Sequence, residues 1–331
     1  MRIDFKEIYE ALYGILLKYN FSAEKADKLA ETFTKSSLDG VYSHGINRFE
    51  RFIETVKDGY VKIDTEPSKV LGFGNIERWN GNLGPGILNA TFSMGKAIEL
   101  AEQGGIGCVA LSNTNHWMRG GTYGWQAAEA GYIGICWTNT NPNMPPWGGK
   151  TPVLGNNPLI ISVPREEGHI VLDMAMSQYS YGKLQTYSLE NNKLPFPCGW
   201  NDEGEITHDP DEVIANERIM PTGFWKGSSL SFVLDLLASI LSGGDSTADI
   251  GLKEEEYGLS QVFIAFNVGG MNPDYIENLI NEVLANLKSS EPLNKNSKVY
   301  YPGEQTLVTR KENMEKGIPV NKTIWKNIIK M

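Results

Sequence analysis

The sequence predicts an α/β fold in which a helical N-terminal region, joined by the C-terminal tail, lies around a larger sheet domain that is not a Rossmann domain. Three observations carry this. Apolar residues recur at helical spacing as far as Val56. Short apolar runs bounded by glycine follow Pro67. The one glycine run that looks dinucleotide-binding stands in the wrong order relative to its strand.

The first helix is set by Ile8, Leu12, Ile15, Leu16 and Tyr19, which share a face. Ser22 is placed to cap a second, with Ala26, Leu29, Ala30 and Phe33 on one stripe and Gly40 just past its end. A third runs through Ile46, Phe49, Ile53 and Val56 and stops at Asp58-Gly59. His44 falls where one helix has ended and another begins.

After Pro67 the runs "VLGFG", "GIGCVAL", "GYIGICW", "NPLIISVP", "HIVLDMA" and "QVFIAFNV" read as strands, rich in β-branched and aromatic residues. The segments "ATFSMGKAIELAEQG" and "TYGWQAAEA" read as helices ahead of two of them. From Gly182 to about Ala215 the chain makes a long polar excursion. The segment "GSSLSFVLDLLASILSGG" is a marked helix, with Leu230, Val233, Leu234, Leu237 and Leu241 on one stripe and Gly243 at its end. Residues 271–289 read as helix, and the tail ends in a strand-like "VYYPGEQ" and amphipathic helical turns.

The 331 residues allow roughly two domains. A net charge of -10 and the lack of any Lys/Arg-rich run argue against a nucleic-acid partner. Asp4, Glu7 and Glu10 are unlike a signal peptide, and no apolar run approaches the roughly 18 residues of a membrane span. Cys108, Cys136 and Cys198 are odd in number and widely spaced, which predicts reduced thiols and a cytoplasmic protein.

"GIGCVA", Gly105 to Ala110, fits the letters of a dinucleotide fingerprint, but it follows a helix and opens a strand, so it is rejected. No P-loop, no G-x-S-x-G serine and no closely spaced zinc ligands occur, and no metal is expected. Four histidines are present. In "GVYSHGINRF", His44 precedes a helix and Arg48 follows four residues on, which puts both on one side. An imidazole can protonate a developing alkoxide, and a guanidinium binds a carboxylate with a planar fork, a pairing suited to a 2-oxo acid. At this point the alternative, a capping histidine beside a surface arginine, stays open.

His116, in "NTNHWMRGGTYGW", follows a strand among Asn113, Asn115 and Arg119, where α/β proteins put chemistry. His169 and His208 look structural. A strand ends in Asp173, and Ala175, Ser177, Ser180 and Gly182 after it suit a ribose and phosphates. "WKGSSLSF" sets Lys226, Gly227, Ser228 and Ser229 at a helix N-terminus, a ready anion site that also reads as plain capping.

With the blocks "YSHGINRF", "NTNHWMRGG", "GNNPLIISVP", "VLDMAMS", "GWNDEGEITHDPDEV", "FWKGSSLSFVLDLLASILSGG" and "YPGEQ", the chain resembles, over nearly its full length, the malate/L-lactate dehydrogenase family that lacks a Rossmann domain. The resemblance implies a mixed, largely antiparallel sheet. It also implies a helical domain from residues 1–75 with about 288–331, and an α/β NAD-binding and catalytic domain over 76–287. It implies a homodimer that reduces a 2-oxo acid with a nicotinamide cofactor, NAD as NADH, with NADPH open. His44 is then the proton donor, Arg48 the substrate anchor, and Ser43 and His116 their neighbours in the pocket. The cofactor falls to Val171, Leu172, Asp173, Met174, Ala175, Met176 and Ser177, to Trp225 and Lys226, and to Gly303, Glu304 and Gln305.

Phe52, where many relatives carry Tyr, together with the bulky Trp117, Met118, Arg119 and Trp147, matches the branch that acts on 2,3-diketo-L-gulonate. Arg119 and Trp147 are then expected to help hold a small-molecule 2-oxo sugar acid. The alternatives are a malate, lactate, sulfolactate or ureidoglycolate dehydrogenase, a cyclic imine reductase, or a sugar-acid binding protein without catalysis.

Overall fold

The computed structural model describes all 331 residues. A two-residue strand, β1 (Arg2–Ile3), leads into helices α1 (Phe5–Lys18), α2 (Ala23–Leu38) and α3 (Ile46–Lys57). The hairpin β2 (Ser68–Phe73) and β3 (Ile76–Asn80) follows, then α4 (Gly86–Gly104), β4 (Ile106–Thr114), α5 (Gly121–Glu129) and β5 (Tyr132–Thr138). Next come β6 (Leu159–Val163) and β7 (Ile170–Met174), and the polar excursion, which folds as α6 (Tyr181–Leu189), β8 (Gly199–Trp200), β9 (Ile206–Thr207) and α7 (Pro210–Asn216). The remainder is α8 (Trp225–Ser242), α9 (Thr247–Ile250), β10 (Leu259–Asn267), α10 (Pro273–Lys288), α11 (Glu304–Lys316), β11 (Ile318–Pro319) and α12 (Lys322–Lys330).

The main sheet has seven strands in the order β2-β3-β4-β10-β5-β6-β7. Only β3 and β4 run parallel; every other neighbouring pair is antiparallel. Side chains alternate across the sheet with period two. Val109, Leu111, Phe263 and Ala265 therefore meet Ala90, Met94 and Ala97 of α4 on one face. Cys108, Ala110 and Val262 meet Leu234 and Ala238 of α8 on the other. All three cysteines are buried and free, and no helix is long and apolar enough to cross a membrane.

The α8 stripe is split. The helix buries Gly227, Ser228, Ser231, Leu234, Ala238 and Ser242 against the sheet, a row of mostly small residues that lets its backbone come close. Leu230, Val233 and Leu237, expected on a stripe with Leu234 and Leu241, lie exposed beside Phe232, Leu236 and Ile240. Two further expectations are corrected. "VYYPGEQ" is not a strand; Pro302 lies irregularly along the sheet edge, where its carbonyl accepts the Val171 N–H at 2.9 Å. A boundary at residue 75 would cut the β2–β3 hairpin, because β2 belongs to the sheet.

The helical core rests on Phe33, whose ring meets Phe49 edge-on at 5.2 Å and Phe52 at 5.4 Å. Trp325 and Ile328 of α12 and Ile318 of β11 close it, and β1 pairs with β11, so the tail folds onto the N-terminal helices. Each such buried side chain contributes about 1.5–3 kcal/mol. Gly45 joins α2 to α3 at a point where nothing larger fits: a Cβ there would stand 2.1 Å from Ser37 Oγ. Ser37 Oγ in turn accepts the Ile46 N–H at 2.8 Å and docks the start of α3 on α2.

Candidate active site

Between α2 and α3, Tyr42–His44 form a single 3-10 turn that presents His44. Its Nδ1 lies 3.0 Å from Ser43 Oγ. The loop after β4 brings up His116, and the two imidazoles stack with centroids 5.8 Å apart and planes 18° from parallel. That loop is pinned by Asn115, whose amide donates to the carbonyls of Tyr60 (3.1 Å), Leu83 (2.8 Å) and Gly84 (3.1 Å). Gly86 at the start of α4 lies so close beneath it that a Cβ would come within 2.2 Å of the Asn115 carbonyl.

The two rings are not electrically alike. The Met118 N–H donates to His116 Nδ1 at 2.9 Å, which leaves the proton on Nε2 of a neutral ring. Burial holds His116 well below the ordinary imidazole pKa, helped by the charges of Arg48 and His44. Burial also lowers His44, with Arg48 and Arg119 adding to it and the Asp173 carboxylate opposing. A cation near these rings is unwelcome; an anion delivered beside them reverses the balance.

Arg48, on the first turn of α3, is exposed and has no carboxylate partner within ion-pair distance. With His116 and Asn115 it lines a cavity of about 530 Å³. Phe52, at the same cavity, puts a hydroxyl-free ring into its wall. Sequence reasoning missed the rest of that wall: Glu217 and the run Glu254, Glu255 and Glu256. The only signal for the last three was a charge run ahead of a strand, which by itself reads as a solvated turn.

Arg119 is a correction. Its guanidinium is buried and bonded to the buried Asp39 carboxylate, which also takes Arg310 Nε at 2.6 Å and Nη2 at 2.8 Å. The charge is used internally and is not free for a substrate. Trp147 likewise stands apart from the residues lining the Arg48 cavity: it packs at 5.2 Å from Phe224 and 5.8 Å from Trp200, and its backbone N–H donates to Ser228 Oγ at 2.9 Å.

The three segments expected around a dinucleotide run together along one backbone. At one end the Val171 N–H meets the Pro302 carbonyl at 2.9 Å, next to Gly303, Glu304 and Gln305. At the other, the Met176 carbonyl accepts the Thr222 N–H at 2.8 Å, just ahead of Trp225 and Lys226. Leu172, Met174 and Ala175 lie between them, and Asp173 Oδ2 accepts the Gly121 N–H at 2.8 Å. Ser177 Oγ is directed inward to the Tyr179 carbonyl at 2.8 Å, and Glu304 is paired with Lys288. The α8 N-terminus carries no side-chain cap, and Trp225 and Lys226 stand exposed beside it. Backbone carbonyls already accept the Lys226, Gly227 and Ser228 N–H groups, so what fits the phosphates and a ring of a nicotinamide dinucleotide here is the exposed lysine and open indole at the positive end of a helix.

The malate/L-lactate dehydrogenase family model matches residues 3–329. A protein named 2,3-diketo-L-gulonate reductase from Mannheimia succiniciproducens is 44% identical over 327 residues, 98% of each chain. One of the same name from Escherichia coli is 42% identical over 330 residues, 99% of each. Among solved structures, malate dehydrogenase from Entamoeba histolytica superposes with a TM-score of 0.94 at 26% identity, covering 100% of this chain and 96% of that one. Sulfolactate dehydrogenase from Methanocaldococcus jannaschii gives 0.88 at 28%, covering 99% and 95%.

Two predictions follow from the charges. Truncating Asp39→Ala leaves two arginines facing each other without their carboxylate, and unfolding in urea should register a loss of about 3–5 kcal/mol. The second concerns pH. Both imidazoles are held below the ordinary value of about 6.5, so the unfolded chain binds more protons than the folded one as pH drops through it. Their contribution is complete above that pH and is lost progressively below it. The urea midpoint should therefore fall with acidification, and less steeply in His116→Gln; equal slopes would contradict the assignment.

Proposed function

The chain belongs to the malate/L-lactate dehydrogenase family and is an oxidoreductase, and from that premise we propose that it reduces 2,3-diketo-L-gulonate to 3-keto-L-gulonate. One observation carries the reading: an arginine without a carboxylate partner lines the same cavity as His116, on which His44 is stacked. A nicotinamide cofactor comes with the family. NADH is our choice for its form, with NADPH the comparison in every assay.

When bound, the cofactor supplies the hydride that C2 of the substrate accepts. Val171 to Ser177, Trp225, Lys226 and Gly303 to Gln305 would hold it. The chain's own residues do the rest. Arg48 takes the substrate carboxylate in a bidentate grip, which fixes the ketone next to the imidazoles. His44 donates a proton to the C2 oxygen as that oxygen gains charge, leaving a hydroxyl. In the free protein burial and Arg48 keep His44 largely neutral. A carboxylate on Arg48 cancels one of the charges that depress the ring, so substrate binding itself favours the protonated donor. His116, neutral with its proton on Nε2, stacks on the donor and can give a hydrogen bond without adding charge.

Loss of NADH absorbance with diketogulonate, beside pyruvate and oxaloacetate, tests the reaction. His44→Ala should lower kcat by 10²-fold or more, in the range of about 10²–10⁴ for a general acid, with nucleotide affinity kept. Arg48→Ala should raise KM far more than it lowers kcat. A His44→Ala enzyme that still turns over normally would falsify the donor assignment.

A homodimer also belongs to this reading. Its support is the outward face of α8, where Phe232 is 53% and Ile240 63% exposed beside Leu230, Val233, Leu236 and Leu237. Contiguous apolar surface of that kind marks an interface. Light scattering should give twice the chain mass for the wild type and a monomer for Leu237→Lys combined with Ile240→Glu. A monomeric wild type ends the proposal.

A further inference from the structure

The cavity around Arg48 carries one more carboxylate than cations, and its charges are unevenly matched. It contains three cations, Arg48, Arg51 and Lys253, and four carboxylates, Glu217, Glu254, Glu255 and Glu256. Arg51 is bound to Glu255 and to Glu54, and Lys253 to Asp245 at 2.6 Å and to the Tyr257 carbonyl at 2.8 Å. Arg48 is thus the single cation left to receive an anion. Glu217, Glu254 and Glu256 have no cationic side chain within ion-pair distance.

Glu256 is the most constrained of these. Its Oε2 accepts the Asn141 N–H at 3.0 Å, and Oε1 makes no hydrogen bond to the protein. Burial pushes its carboxyl up, while the Asn141 N–H and the charge of Arg48 pull it back. Its second oxygen is left open to a hydrogen-bond donor.

We propose that Glu256, together with Glu217 and Glu254, determines which 2-oxo acid the cavity accepts. It favours a monocarboxylate with hydroxyl groups along its chain and excludes dicarboxylates. This inference rests on the 2-oxo acid reductase reading above. The first carboxylate goes to Arg48. Further along, hydroxyls donate to the free glutamate oxygens, and a hydrogen bond to a charged acceptor is among the stronger ones. A second carboxylate in the same place meets like charge with no cation to receive it. A site built to bind a hydroxyl also rejects an analogue without one, because its own acceptor is then left unpaired. An ammonium-bearing 2-oxo acid is the rival occupant of an acidic wall and is included in the test.

The experiment compares kcat/KM for 2,3-diketo-L-gulonate, oxaloacetate and 6-(trimethylammonio)-2-oxohexanoate, a quaternary cation that cannot cyclise to an imine, in the wild type and in Glu256→Gln, with Glu217→Gln read alongside. Glutamine keeps the bond to the Asn141 N–H and removes the charge. The expected result is a wild-type preference for the hydroxylated acid over oxaloacetate that shrinks about tenfold or more in Glu256→Gln, chiefly through KM. An unchanged ratio in both variants overturns the proposal, as does a wild type that prefers oxaloacetate. Preference for the cationic analogue overturns the hydroxyl assignment. A wild type that reduces none of the three defeats the reductase reading instead. Calorimetry with NADH present then decides separately: L-gulonate should bind more tightly than succinate, and the difference should narrow in Glu256→Gln. Equal binding of the two by the wild type overturns it.

Discussion

The site depends on one buried carboxylate. Asp39, 3% exposed at its side chain, ends α2 and receives Arg119 from the loop after β4 and Arg310 from α11. Those three segments come from the helical core, the sheet and the C-terminal tail. His44 lies five residues after Asp39, and His116 three residues before Arg119. The same ion cluster therefore fixes the two turns from which the imidazoles project, and their stacking is a consequence. A buried cluster of this kind adds little net stability over a well-packed apolar one, because desolvation offsets the attraction. What it supplies here is position. Arg310 extends the constraint by resting 4.8 Å over the ring of Trp125 in α5.

A second constraint is the small-residue face of α8. Serines and alanine against the sheet allow close approach, and the three serines, Ser228, Ser231 and Ser242, also make polar links. Ser231 Oγ donates to the Gly155 carbonyl at 2.6 Å and accepts from Asn157 Nδ2 at 3.0 Å. The helix is therefore held by polar contacts and backbone proximity, while its large apolar side chains are left outside. That division of labour between the two faces is unusual for a helix covering a sheet in a monomer, where the bulky stripe normally points inward.

Much of this was legible in the sequence, and the failures have physical causes. The strand runs between glycines were recovered because β-branched residues and turn glycines coincide, and the fold class followed from them. The strand β3, "IERWN", escaped because Glu77 interrupts its pattern; inside the fold that carboxylate is buried with Lys69 and Trp79 as partners. The α8 stripe was legible as periodicity but not as direction, since spacing cannot tell an inward face from an outward one. Arg119 looked free because its partner stands 80 positions upstream, a distance no local motif spans. For His44, Arg48 and His116 spacing placed an imidazole near a guanidinium and a second imidazole after a strand, but it left a capping histidine and a surface arginine equally open, and only the family resemblance singled them out. Glu256 was not, for a run of three glutamates ahead of a strand carries no sign of what it will face.

The charge pattern bears on how so acidic a chain would receive the anion of the function proposed above. At net charge -10 the long-range field opposes an approaching carboxylate, and salt screens most of that beyond about 8–10 Å. Attraction must then be local, and it requires a cation that no carboxylate holds within ion-pair distance. Glu255 is engaged by Arg51, Asp173 accepts a backbone N–H, and Asp39 is held between two arginines. Glu217, Glu254 and Glu256 share the cavity with Arg48 and stay beyond ion-pair distance of it. The guanidinium stays without a carboxylate partner, and the imidazoles beside it are depressed chiefly by burial, with its charge adding to the effect. On the function proposed above, a carboxylate on Arg48 would offset one of the charges that lower His44, leaving burial as the main cause that remains.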